Sequence, residues 1–154
     1  MKSGIIQPPA FQRPSGKLFL GTQQNNLVHG DDTLVLLDTI SANFKDGIED
    51  VATHRITPGV AGWYSIVGQV EFESLSMVAD ARFGVNIRVS GVLANENWVH
   101  SSIANTVTGV CLLPCYYLTP ADYVELHARS YAGVDTVDIS SNELSTFLAL
   151  QRVR

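Results

Sequence analysis

The chain has 154 residues, 45% of them apolar and 16% charged, enough to fill one core in one domain without help from metals or disulfides. Its ten Lys and Arg never cluster and the net charge is -5, which excludes a phosphate-binding footprint and with it nucleic acid as a partner. No run approaches the ~18 to 20 uninterrupted apolar residues of a bilayer span, and the first residues do not read as a cleaved signal, so no membrane partner is expected.

Residues 1–16, MKSGIIQPPAFQRPSG, hold three of the six prolines, which fix an extended backbone that neither continues a helix nor sits in a central strand. They read as an extended arm, separate from a domain over residues 17–154. Its residues Ile5, Ile6, Pro8, Pro9 and Phe11 suit docking on a neighbouring subunit or capsid, and a frayed terminus is the competing reading.

From residue 17 the pattern has period two and almost no helical periodicity. Strands are predicted over Lys17 to Gly21 and Thr33 to Asp38. Between Trp63 and Phe72, Tyr64, Ile66, Val70 and Phe72 share one face, and Ser65, Gln69 and Glu71 the other. Between Arg82 and Val89, Phe83, Val85, Ile87 and Val89 point inward while Arg82, Asn86 and Arg88 point outward, and Ser90-Gly91 supplies a hairpin turn. Further strands fit Thr106 to Leu118, Tyr123 to Ser130 and Ser145 to Val153, with turns at Pro120-Ala121-Asp122 and Ser140-Ser141-Asn142. About eight to ten short antiparallel strands without a helix make an all-β sandwich or barrel.

Four ordered blocks carry a resemblance. Asn43-Phe44 precedes Ile56-Thr57-Pro58-Gly59-Val60-Ala61-Gly62-Trp63-Tyr64-Ser65-Ile66, and Val85-Asn86-Ile87-Arg88-Val89-Ser90-Gly91 closes a strand. Leu118-Thr119-Pro120-Ala121-Asp122-Tyr123-Val124-Glu125-Leu126 and Ser145-Thr146-Phe147-Leu148-Ala149-Leu150 complete the set. Together they resemble the globular head shared by complement-type and tumour-necrosis-factor-type jelly rolls, as found also in phage virion proteins. Ser90, Ala121 and Ala149 stand where that family favours Asn, Gly and Gly. The resemblance implies a ten-stranded jelly-roll sandwich that assembles as a compact homotrimer.

Cys111 and Cys115 in CLLPC would lie roughly 13 Å apart on an extended strand at ~3.3 Å per residue, too far to bridge unless Pro114 breaks the strand. Two free, mostly buried thiols are expected; a local disulfide, intermolecular pairing and metal remain as alternatives. His29, His54, His100 and His127 stand apart with no recurring ligand spacing, and His127 shares an exposed polar face with Glu125 and Arg129. Asp31-Asp32, Asp46-Gly47-Ile48-Glu49-Asp50 and Asp135-x-x-Asp138 read as solvated or turn-capping carboxylates, with calcium near a trimer axis as the alternative. No cofactor is expected. No nucleophile elbow or Gly-rich phosphate loop is present, so an enzyme is not expected.

Trp63, Trp98, Tyr117, Tyr123 and Tyr131 fall on outward positions or near loops, and form the expected trimer or partner surface. An ordinary core or a sheet covered by its own loops is the competing reading. The function expected is that of a virion structural protein, a trimeric capsid decoration or cement protein of a bacteriophage. It would be made in the host cytoplasm and would bridge copies of the major capsid protein or another virion protein. The alternative is the receptor- or glycan-binding tip of a phage tail fibre, or a secreted complement-like ligand module.

Overall fold

A computed structural model describes residues 15–42, 48–74, 80–101, 105–132 and 137–153. In chain order the strands are β1 (Ser15–Phe19), β2 (Gln24–Leu27), β3 (Thr33–Leu34), β4 (Thr39–Ile40), β5 (Glu49–Asp50) and β6 (Arg55–Ile56). There follow β7 (Gly62–Glu73), β8 (Arg82–Val89), β9 (Val92–His100), β10 (Thr106–Leu118), β11 (Val124–Tyr131), β12 (Val137–Ile139) and β13 (Phe147–Arg152). They form a seven-stranded sheet in the order β2-β12-β7-β13-β1-β4, with β10 on the other edge of β7, and a six-stranded sheet in the order β5-β6-β11-β8-β9, with β3 beside β11. All these strand pairs are antiparallel. This is the all-β sandwich expected from the alternation, in the jelly-roll form that the resemblance implied.

The inward residues of strands β7 and β8 match the expected faces. Tyr64, Ile66, Val70 and Phe72 of β7 and Phe83, Val85 and Ile87 of β8 are fully buried between the sheets. The rings of Phe72 and Phe83 meet at 4.8 Å between centroids. Two inward positions are glycine because the sheets approach closely there. A Cβ on Gly68 would lie 2.5 Å from Leu126 Cδ1, and one on Gly109 would lie 2.6 Å from Val85 Cγ2. Tyr64 is buried with its hydroxyl donating to the Val60 carbonyl at 2.7 Å, so the polar end of this core ring is satisfied.

Ser90 and Gly91 both have positive φ, 50° and 78°, and connect Val89 to Val92 as a two-residue hairpin turn. The second hairpin strand thus follows from the dipeptide. At the next turn, Asp122 accepts from the Thr119 amide and hydroxyl, each at 2.8 Å, which holds its carboxyl below the ordinary range.

Several expectations need correction. β1 begins at Ser15, so Ser15 and Gly16 already pair with Gln151 and Leu150 across β13. Only Thr33–Leu34 of the segment expected to run to Asp38 is strand; Val35 and Leu37 turn into the core instead. Cys115 is exposed, not buried. The reason is Pro114: Leu113 pairs with Ile66 and Tyr116 with Tyr64, so Pro114 and Cys115 share one partner position and form a bulge. The bulge shifts the alternation, leaving Cys111 inward and Cys115 outward, and both thiols are free.

The polar face of β11 is also not exposed. Glu125 is 7% and Asn86, opposite His127 on β8, 1% accessible. The segment Val28–Leu34 arches along the edge of β11, with Gly30 donating to the Ser130 carbonyl at 2.8 Å and Val35 to that of Leu126 at 2.9 Å, and the Asp32 side chain reaches across the face to Asn86 and Arg88.

The free edge of β10 is closed by side chains of β9. Asn95 Nδ2 donates to the Leu112 carbonyl at 2.8 Å and Asn97 Nδ2 to the Val110 carbonyl at 2.7 Å. These bonds tie the edges of the two sheets together and occupy carbonyls that would otherwise template another strand. Asn97→Ala is expected to cost about 0.5–1.5 kcal/mol, read as a lower urea midpoint with an unchanged slope.

Candidate functional site

The larger sheet presents its outer face from the alternate residues of β1, β13, β7 and β10. Pairing registers place these side chains in rows across the sheet. Phe19 lies beside Phe147, and Phe147 beside Gln69; Ala149 lies beside Val67, and Val67 beside Leu112. Trp63 and Tyr117 form the next cross-strand pair towards one end, their rings edge to face at 5.4 Å and 70°. Trp63 is 44%, Tyr117 50% and Leu112 53% accessible. Lys17 sits over the Phe147 ring at 4.5 Å, so its charge lies along an aromatic surface.

An outward face of a soluble sheet normally alternates to polar residues, as Glu71, Glu73, Thr106 and Thr108 do at the far end of β7 and β10. The outward pairs Trp63–Tyr117 and Val67–Leu112, with Ser65 and the Pro114–Cys115 bulge between them, break that rule. A contiguous apolar area bordered by polar residues is the physical mark of a contact surface.

The aromatic residues singled out from the sequence do not share one surface. Trp63 and Tyr117 lie together on the larger sheet. Trp98, Tyr131 and Tyr123 belong to the outward side of the smaller sheet. Trp98 covers Gly84, where a Cβ would meet the indole ring at 3.2 Å, and it packs against Tyr131 at 5.6 Å. His29 meets the far side of this pair, edge-on to Tyr131 at 5.4 Å. Tyr123 lies under the Arg55 guanidinium at 4.2 Å. Ile5, Ile6, Pro8, Pro9 and Phe11 of the arm lie outside the described residues, as do Asn43-Phe44, Asp46 and Asp135.

Sequence reasoning missed Val67 and Leu112. The signal was present, since each is apolar in the outward phase, but apolar runs such as Val110 to Leu113 conceal phase until register is known. The described acidic loop residues mostly serve the backbone. Asp50 accepts from Ala52 and Thr53, and Asp138 from the Asn26 amide at 2.9 Å. Among the described residues, no three His, Cys, Asp or Glu side chains converge as metal ligands.

With the fold laid out, the chain superposes on Eiger TNF from S. frugiperda with a TM-score of 0.66 over 92% of this chain and 93% of that one, at 9% identity. Murine APRIL superposes with a TM-score of 0.62 over 92% of this chain and all of that one, at 15% identity. The fold is the tumour-necrosis-factor-type jelly roll. No family model and no curated protein sequence matches the chain. At these identities the tumour-necrosis-factor-type likeness establishes the arrangement of strands, and function must come from the surfaces built on it.

Proposed function

We propose that this protein is a non-catalytic presentation module that assembles as a homotrimer through the outer face of its larger sheet. The observation that carries the proposal is the exposed group Trp63, Leu112 and Tyr117 on one sheet face, with Val67 paired beside Leu112. Tryptophan and tyrosine are the side chains that most often anchor interfaces, and a specific contact removes about 800 Å² per partner from water. The copy number of three comes from the tumour-necrosis-factor-type resemblance.

Radical footprinting across a dilution series tests which face is covered. Trp63 and Tyr117 should be shielded at high concentration and labelled on dilution, while Trp98 is labelled equally throughout. Concentration-independent labelling of Trp63 and Tyr117 would count against the proposal.

Mounted on a capsid, such a trimer would act as a decoration protein, with the arm residues Ile5, Ile6, Pro8, Pro9 and Phe11 clamping a neighbour. Several modest contacts acting together would give the avidity a cement protein needs. Purified virions should then contain the chain in lattice stoichiometry, and removal of residues 1–14, which spares β1, should leave a trimer that no longer binds capsids. The likeness to Eiger TNF and murine APRIL favours a second reading, a ligand-type head that binds a receptor. A head of that kind binds cells saturably with its arm removed, and is missing from the virion lattice.

A further inference from the structure

The outer face of the smaller sheet hides a titratable group that plays no part in the assembly surface. His127 is only 14% accessible at its side chain, and neither ring nitrogen has a hydrogen-bond partner. The nearest carboxylate oxygens lie beyond hydrogen-bond reach, Asp32 Oδ2 at 3.6 Å from Nδ1 and Glu125 Oε2 at 3.7 Å from Nε2.

Each of those carboxylates already has a stronger partner. Asp32, at the crown of the Val28–Leu34 arch, is ion-paired with Arg88 and accepts from Asn86 Nδ2 at 2.8 Å, both on β8. Glu125 pairs with Arg55 of β6 at 3.2 Å, and Arg129 of β11 faces Glu96 of β9 at 3.9 Å. Among the described residues, the charges that face His127 from the arch, β6, β8, β9 and β11 are therefore three carboxylates and three guanidinium groups. They balance only while the imidazole is neutral.

We infer that His127 and the Val28–Asp32 arch form an acid-sensitive latch, in which protonation of His127 releases the arch from the sheet. A proton on the ring would place one uncompensated positive charge in a covered site, which is unfavourable unless water reaches it. Lifting the arch supplies that water. The arch is held by the Gly30–Ser130 backbone bond, the Asp32 contacts with Arg88 and Asn86 and the ring contact of His29 with Tyr131, while Val28 is 58% accessible and the buried side chain of Val35 fixes the end of the movable segment.

Burial holds the His127 pKa below its ordinary value, with Arg88 acting in the same sense and the Asp32 and Glu125 carboxylates opposing. Opening restores an ordinary imidazole. The open form then binds the proton more strongly, so opening gains ground as pH falls below about 6.5, and the gain ends once pH passes the closed-form value.

Hydrogen exchange of residues 28–34, corrected for intrinsic rates, tests this between about pH 7.5 and about pH 5. Protection in the wild type should fall by about tenfold for each unit separating the open and closed pKa values, while residues 83–87 stay protected. In His127→Gln the fall should vanish, and in His29→Gln, which removes the exposed histidine of the arch, it should persist. A wild type without the fall, or a folded His127→Gln variant that keeps it, overturns the latch. NMR titration of the wild-type rings provides the measurement that needs no variant. His127 should titrate below the ordinary imidazole value of about 6.5, with arch amides shifting in step, and a His127 value at or above about 6.5 overturns the inference.

Discussion

Leu112→Glu will convert the assembled protein into a folded monomer. Leu112 is 53% accessible in the single chain and points away from the core, so the substitution should change the stability of the protomer by no more than about 0.5 kcal/mol. In an assembly covering Val67, Leu112 and the Trp63–Tyr117 pair, the same change buries a carboxylate against an apolar partner without a counter-charge. Central anchors of interfaces are worth about 2 kcal/mol or more each, a factor of ~30 in association, and symmetry repeats the loss at every contact. Sedimentation velocity at micromolar concentration should show the mass fall to that of one chain, with an unchanged circular dichroism spectrum. Val92→Glu serves as the control, since Val92 is 70% accessible at the tip of the β8–β9 hairpin, away from the proposed contact. An assembled Leu112→Glu protein would place the contact elsewhere.

Phe72→Ala should be the most damaging single truncation of the core. Phe72 is fully buried on the central strand β7, stacks on Phe83 from the opposite sheet, and fills the space above Gly109. Glycine at 109 has no side chain of its own to fill the void. Removing a buried phenyl group costs about 3–5 kcal/mol, against a total stability of about 5–15 kcal/mol for a domain. The urea midpoint should fall by about a fifth or more, whereas Glu71→Ala, one residue away on the outward face, should change it little. A loss under about 1 kcal/mol for Phe72→Ala would mean that the sheets close over the gap.

Strands β7 and β8 were legible because alternation survives wherever one face is buried and the other is wet. Trp63–Phe72 and Arg82–Val89 satisfy that condition, and their inward residues form the core. The Ser90-Gly91 turn was legible for a conformational reason, since the hairpin needs positive φ at both positions. The short strands β2, β4, β5 and β6 were not, because two to four residues carry too little periodicity to stand out from loops.

The bulge was half visible. Pro114 marked a break in the strand, but only register shows that it throws Cys115 outward. Burial of His127 was invisible for a different reason. Outward alternation on β11 was read correctly, yet a covered face and a wet one have the same alternation, and the cover comes from residues almost a hundred positions earlier. Of the assembly surface, Trp63 and Tyr117 were found by residue type, while Val67 and Leu112 required the pairing of β7 with β10.

Static light scattering coupled to size exclusion, on the full chain at micromolar concentration and near-neutral pH, tests self-association through the larger sheet most directly. The mass should be three times the 16.7 kDa of the chain, and should fall to one chain in Leu112→Glu. A wild type that runs as a single 16.7 kDa chain under these conditions would contradict the account.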